Sequence, residues 1–181
     1  MRESDRKKMT PLMIAAYYGI ADNVEYILEK VREHSYINFK SDEGYSALHY
    51  AILKSHEECV EILLNDPFIK FDSENKENAD IFHLVAITGN CSILMKLLAK
   101  WGQYLPYSVD KFKKTPAMYA IRNNNNDILF KLLQAGCKQN RNDTSLNTLL
   151  HYASAYGNFE AIMVLIDSIK QVKNKRSYYP W

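Results

Sequence analysis

Long apolar runs are missing from these 181 residues. Runs such as Ala161 to Ile166 fall far short of the ~20 residues that span a bilayer, so no membrane insertion is expected. An excess of either charge is missing too. Lys and Arg total 23 against 21 Asp and Glu, a formal net charge of +2. A chain that works on phosphate backbones carries a far larger basic surplus, and nucleic acid is not an expected partner. Cysteine is scarce and odd in number: Cys59, Cys91 and Cys137, with no CxxC pair. Small secreted domains carry dense, even sets, so free thiols in a reducing, intracellular (cytoplasmic) compartment are expected. The start, Met1 to Lys8, is polar and no apolar h-region follows it, so no secretory signal is visible. GxSxG, GxGxxG, P-loop and HExxH motifs are all absent. The reading is therefore non-enzymatic: no catalytic residue, no cofactor, no metal and no small-molecule substrate.

What is present is a repeat. Thr10-Pro11-Leu12-Met13-Ile14-Ala15-Ala16 returns as Ser46-Ala47-Leu48-His49-Tyr50-Ala51-Ile52 and as Asp80-Ile81-Phe82-His83-Leu84-Val85-Ala86. It returns again as Thr115-Pro116-Ala117-Met118-Tyr119-Ala120-Ile121 and as Thr148-Leu149-Leu150-His151-Tyr152-Ala153-Ser154. The starts are 36, 34, 35 and 33 residues apart. Seventeen residues after each start lies an aliphatic pair: Ile27-Leu28, Leu63-Leu64, Leu97-Leu98, Leu132-Leu133 and Leu165-Ile166. Nine residues after each start stand Gly19, Ser55, Gly89, Asn124 and Gly157.

Each marker has a physical role. Thr, Ser or Asp80 caps a helix by accepting a backbone N–H bond. Pro suits the first helical position, where its missing N–H is not needed. Gly at the ninth position closes the short helix in a left-handed conformation, and Asn124 tolerates the same geometry. Ser55 fits that role poorly, and a different turn is expected there. The aliphatic pair carries a second helix into the core.

The run, the turn and the aliphatic pair resemble the ankyrin repeat family, whose marks are Thr-Pro-Leu-His, a Gly turn and Leu-Leu. The resemblance covers the chain from about Asp5 to Ile169. It implies an all-α repeat solenoid: helix-turn-helix units with projecting hairpin fingers, as a domain over residues 1–169 followed by a basic-aromatic tail at 170–181. The chain departs from the family at several points. Met13 and Met118 replace His, Asp80-Ile81 replaces Thr-Pro, and the Gly two residues before each start survives only as Gly44. That leaves the geometry of the other fingers open.

His49, His83 and His151 occupy equivalent positions on units spaced ~8–10 Å apart, so their side chains run parallel rather than converge on one ion. Each is read as a hydrogen-bonded histidine tying finger to helix. His34 and His56 carry no signal. Cys59 and Cys91 fall inside second helices.

In the family, the concave face is built by the residue just before each start and by those seven and eight after it. That resemblance assigns Met9, Tyr45, Ala79, Lys114 and Asn147 to the first set. It assigns Tyr17 and Tyr18, Leu53 and Lys54, Ile87 and Thr88, Arg122 and Asn123, Ala155 and Tyr156 to the second. Phe112 lies on the finger before the fourth unit. Tyr17, Tyr18, Tyr45, Leu53 and Ile87 are expected to form an apolar-aromatic surface, and Lys111, Lys113, Lys114 and Arg122 a basic one. The alternative at the same positions is aromatic packing between units beside solvated lysines.

The function implied is a protein–protein interaction adaptor or scaffold, binding on the concave face and serving as a subunit of a larger assembly. The alternative is a regulatory or targeting module of a larger enzyme or channel. Richness in Asn, Lys, Ile and Tyr resembles proteins of AT-rich genomes and is compatible with a cytoskeletal or ciliary assembly. Ala161 to Ile166 reads as apolar all round, so a cover is expected: the tail, another chain or a further repeat. Deleting residues 171–181 is expected to promote aggregation or oligomerisation.

Overall fold

The computed structural model describes residues 8–31, 35–70 and 75–177, with side chains described to Ser168 apart from Pro106. The described residues hold ten α-helices and no strand. They pair off unit by unit: α1 (Pro11–Tyr18) with α2 (Ala21–Lys30), α3 (Ala47–Leu53) with α4 (Glu57–Asn65), and α5 (Ile81–Thr88) with α6 (Cys91–Trp101). The last pairs are α7 (Pro116–Arg122) with α8 (Asn126–Gln134), and α9 (Leu149–Ala155) with α10 (Phe159–Ser177). First helices stack in one layer from α1 to α9, second helices in a parallel layer from α2 to α10. Each unit can bury its apolar side only against its neighbour, so one core runs from Leu12 through Leu48, Phe82, Ala117 and Leu149.

Each first helix begins directly after the expected cap residue, and at Thr10, Asp80 and Thr148 the side chain makes the expected cap bond. Thr10 Oγ1 accepts from Met13 N–H, Asp80 Oδ1 from Phe82 and His83 N–H, and Thr148 Oγ1 from His151 N–H. The residue three on reaches back to the cap's own N–H. His49 Nδ1 does so at 3.2 Å, while Met13 and Met118 offer their sulfurs at 3.4 Å. Methionine thus replaces histidine at that N–H with a weaker acceptor.

The helix-closing turn differs from the expectation at Ser55. Its φ is +58°, in the same left-handed region as Gly19, Gly89, Asn124 and Gly157. The next residue explains this. His56 N–H closes onto Ala51 carbonyl at 2.9 Å, as Ile20 closes onto Ala15, Asn125 onto Ala120 and Asn158 onto Ala153. The closing bond imposes the geometry whatever residue occupies the turn. Where the neighbour is tight, only glycine fits: a Cβ on Gly19 would lie 2.5 Å from His56 Nδ1, and one on Gly89 2.7 Å from Asn125 Oδ1. Ser55 bears the left-handed cost without that constraint. Ser55→Gly is expected to stabilise the chain by about 1 kcal/mol, read as a higher urea midpoint at unchanged slope.

The residue after each turn also joins neighbouring units. His56 Nε2 lies 3.1 Å from the Tyr17 carbonyl oxygen, Asn125 Nδ2 donates to Ala86 and Ile87 carbonyls, and Asn158 Nδ2 donates to Ile121 carbonyl. His56, which carries no sequence signal, is therefore a staple between the first two units.

Apart from the one that keeps Gly44, the fingers form without the glycine the family uses. Ser41 N–H donates to Tyr45 carbonyl, Asn75 to Ala79, Asp110 to Lys114 and Asp143 to Asn147. Two residues before each start the chain turns left-handed, at Lys8, Gly44, Asn78, Lys113 and Leu146. Asn75, Asp110 and Asp143 hold this shape by accepting from two backbone N–H groups each. Adjacent fingers are bonded through Lys76 N–H to Glu43 carbonyl, Lys111 to Glu77 and Thr144 to Phe112. The fingers are tight, bonded turns, and no strand forms in them.

Candidate interaction surface

The finger-and-first-helix face rests on a polar network. Tyr119 donates its hydroxyl to Asp110 Oδ2 at 2.7 Å and Tyr152 to Asp143 Oδ2 at 2.8 Å. Tyr50 donates to Ser41 Oγ at 3.0 Å. Burial works to raise the Asp143 carboxyl, but bonds from Asn147 and Ser145 N–H, Tyr152 and the Asn147 amide outweigh it and hold it below the ordinary carboxylate range. Both phenols are pushed well above their ordinary value, by burial first and by the carboxylates they bond second. These groups fix the fingers.

Of the repeat histidines, His83 makes the finger-to-helix tie read from their spacing. His83 Nε2 reaches the Lys114 carbonyl of the next finger at 3.0 Å, while Nδ1 lies 2.8 Å from Asp80 Oδ1. His49 Nδ1 and His151 Nδ1 bond Ser46 and Thr148 hydroxyls at 2.8 and 2.7 Å. Burial pushes the Cys59 and Cys137 thiols up, the latter to about 11, away from reactive thiolate. Among the described residues no group of three His, Cys, Asp or Glu could hold a metal ion.

The expected surface residues divide by exposure. Tyr17 and Tyr45 are half-buried, each ring edge-on to Tyr50, and Tyr45 hydroxyl accepts from Asn75 Nδ2. Leu53 is half-buried against the core, and Lys54 lies over the Tyr17 ring. Tyr18, at 62% exposure, stands out into solvent beside Tyr17. Ile87, Phe112, Arg122 and Tyr156 are also exposed, and Lys114 is half-buried with its ammonium over both Phe112 and Tyr152. The open aromatic area thus extends to the fourth and fifth units.

Two features there escaped sequence reasoning. Leu146, at the tip of the fourth finger, is 74% exposed with φ +64°. Beside it a cleft of about 210 Å³ is lined by Asn147, His151, Tyr152, Ala155 and Tyr156. Aligning the units at the finger position shows a leucine where the others carry Lys, Gly, Asn and Lys, and that was the available signal.

On the opposite layer, fifteen residues after each start, stand Glu25, Glu61, Met95, Phe130 and Met163. The last three are about half exposed and form an apolar row along α6, α8 and α10. Within the apparently all-round apolar segment, Ala161 and Leu165 are buried while Met163 and Ile166 are exposed. The backbone of α10 continues to Ser177, through most of the tail at 171–181 named as a cover, and residues 178–181 of that tail lie outside the described residues.

The ankyrin repeat model, in three copies, matches residues 1–75 and 82–177. The chain belongs to the ankyrin repeat family. Ankyrin repeats are protein-interaction modules, and the stacked units, finger bonds and Gly turns described above are their frame. Inversin of Gallus gallus is 37% identical over 84 residues, covering 46% of this chain and 8% of that protein. The poly [ADP-ribose] polymerase tankyrase of Caenorhabditis elegans is 29% identical over an alignment of 191 residues, covering 94% of this chain and 8% of its own length. The tyrosine-protein kinase Shark of Drosophila melanogaster is 31% identical over 130 residues, covering 71% and 14%. The chain therefore spans a small part of the length of these curated relatives. No described helix is long and apolar enough to cross a membrane.

Proposed function

We propose that this ankyrin chain is a non-enzymatic adaptor that holds a protein partner on its finger-and-first-helix face. One observation carries the reading. Tyr18, Ile87, Phe112, Arg122 and Tyr156 project from a frame whose every finger is bonded to the next, so exposed anchors stand on a rigid support. Tyrosine and arginine are the residues that most often concentrate binding energy, and a fixed backbone lowers the ordering cost of association. Lys114 and the half-buried Tyr17, Tyr45 and Leu53 complete the face from beneath. The three free cysteines, two of them buried, support a reducing, cytoplasmic compartment.

The test is affinity capture from the native cell with the wild type and with a Tyr18→Glu, Ile87→Glu, Tyr156→Glu variant. These three side chains are exposed, so the variant keeps the wild-type helical signal and melting midpoint. A partner held by the wild type and lost by the folded variant supports the reading. A partner held equally by both places binding elsewhere, with the Met95, Phe130, Met163 row as the next surface to change.

A second reading rests on the small share of the relatives' length that this chain spans: the same surface would then serve as a targeting module within a longer polypeptide. The mass of the native polypeptide decides between the two.

A further inference from the structure

The third and fourth fingers, with the helices behind them, combine two features found together nowhere else on the described face. The first is unpaired positive charge. Lys111 is paired with Glu77. Lys113, Lys114 and Arg122 have no carboxylate within ion-pair range among the described residues. The two nearby acids, Asp110 and Asp143, are buried beneath the surface, and their oxygens are taken up by backbone N–H groups and tyrosine hydroxyls. The first finger has the opposite character, with Asp42 and Glu43 at its tip.

The second feature is open apolar surface. Thr144 N–H bonds Phe112 carbonyl, which sets the fourth finger against the third. Phe112 and Leu146 are exposed on the two fingers and Tyr156 is exposed in the cleft wall, where the Tyr152 and Tyr156 rings stack 6.1 Å apart. Leu146 is the strongest sign. A leucine in the left-handed region is strained, and exposure returns no packing to offset the strain. An apolar side chain held there in water is explained by a contact that covers it.

We infer that this half of the face docks a short acidic protein segment carrying one apolar anchor. Its carboxylates meet Lys113, Lys114 and Arg122, and its anchor enters the cleft against Tyr156 and covers Leu146 at the adjoining fingertip. The inference rests on the adaptor reading and narrows it to a partner chemistry. Charge complementarity selects a peptide over nucleic acid. A phosphate backbone needs a longer cationic track than three side chains, and the whole chain carries only +2. Segment length follows from reach: units ~10 Å apart are bridged by about three extended residues.

The probe is a displayed library of random peptides about twelve residues long, ample for that reach. Selected peptides are expected to be enriched in Asp and Glu flanking a Leu, Ile or Phe, and to bind more weakly as salt rises. Binding should fall about tenfold in Lys113→Glu, Arg122→Glu, since exposed charges chiefly set complementarity. Leu146→Gly is the second variant. It removes the strain, so it should melt higher than the wild type and yet bind the peptides more weakly. Those opposite signs cannot come from unfolding.

Neutral or basic selected peptides would overturn the inference, as would acidic peptides indifferent to the charge reversal or an empty selection. Displacement of the peptides by a fluorescein-labelled oligo-uridylate that binds more tightly would overturn it in favour of RNA. A native partner that is lost by Tyr18→Glu, Ile87→Glu but kept by Lys113→Glu, Arg122→Glu would overturn this inference alone. A partner kept by both would overturn the adaptor reading as well.

Discussion

Asp80→Ala is expected to destabilise the chain by about 3–5 kcal/mol at mildly acidic pH, because it leaves a buried imidazole without its counter-charge. In the second and fifth units a Ser46 or Thr148 hydroxyl faces the histidine. The third unit puts a carboxylate there, 2.8 Å from His83 Nδ1, with both side chains buried. Burial alone would raise the carboxyl and lower the imidazole. The bond between them and their opposite charges reverse both shifts, so Asp80 is held below its ordinary value and His83 above. The signs then fix the pH window. Asp80 contributes stability above its unfolded value of ~3.9 and loses it as pH falls through the lower folded value. His83 contributes below ~6.5 and loses it as pH rises through its higher folded value. The wild type should therefore exceed Asp80→Ala most between about pH 4 and 6.5, with a smaller gap at alkaline pH. Asp80→Ser, which copies the second unit, should recover much of the loss and flatten the pH dependence. Urea unfolding across pH checks both variants, and an Asp80→Ala gap that does not change with pH would show that only the helix cap was lost.

Phe82→Ala is expected to cost about 3–5 kcal/mol and to change the form of the transition. Phe82 is completely buried in the central unit, where the first two units carry Leu12 and Leu48. The fourth unit places the small Ala117 at the same phase, also completely buried, on the helix that packs against α5. A large buried side chain in the third unit is thus followed by a small one at the same phase of the fourth, which has no bulk there to fill the void. Coupling in a stacked array is between nearest neighbours. A weakened third unit therefore divides the stack, and the single urea transition should split into two steps. Phe82→Leu should cost much less and leave one step. A single step of unchanged slope in Phe82→Ala would show that the units are coupled more widely than their contacts imply.

Much of this fold was legible because its markers are local. Thr10 and Thr148 specify helix starts by the backbone N–H that each hydroxyl accepts, and the Leu63-Leu64 and Leu97-Leu98 pairs specify buried faces by phase. The illegible parts are those set by another unit. Ser55 reads as unsuited to a left-handed turn, yet the His56-to-Ala51 bond imposes that turn. Lys113 reads only as part of a basic surface and Leu146 escaped sequence reasoning, yet the Asp110 and Asp143 side chains hold their fingers with these residues at φ +60° and +64°. His56 reads as a lone histidine because its carbonyl partner lies 39 residues away.

For the surface, phase identified which positions face outward but not how far each projects. Tyr17 and Tyr18 are adjacent and chemically identical, and only packing against Tyr50 separates the half-buried ring from the exposed one. The apolar row of Met95, Phe130 and Met163 was visible at a fixed phase as soon as five units were aligned. It is a second exposed apolar surface beside the finger face.

Hydrogen exchange of the chain with and without its captured partner separates the two surfaces directly. Binding on the finger face predicts slowed exchange in the fingers at 41–45, 75–79, 110–114 and 143–147 and at the ends of the adjoining first helices. The exposed amides of α6, α8 and α10 should stay unchanged. Slowing confined to α6, α8 and α10, with the fingers exchanging as in the free chain, would contradict the account and assign the partner to the Met95, Phe130, Met163 row.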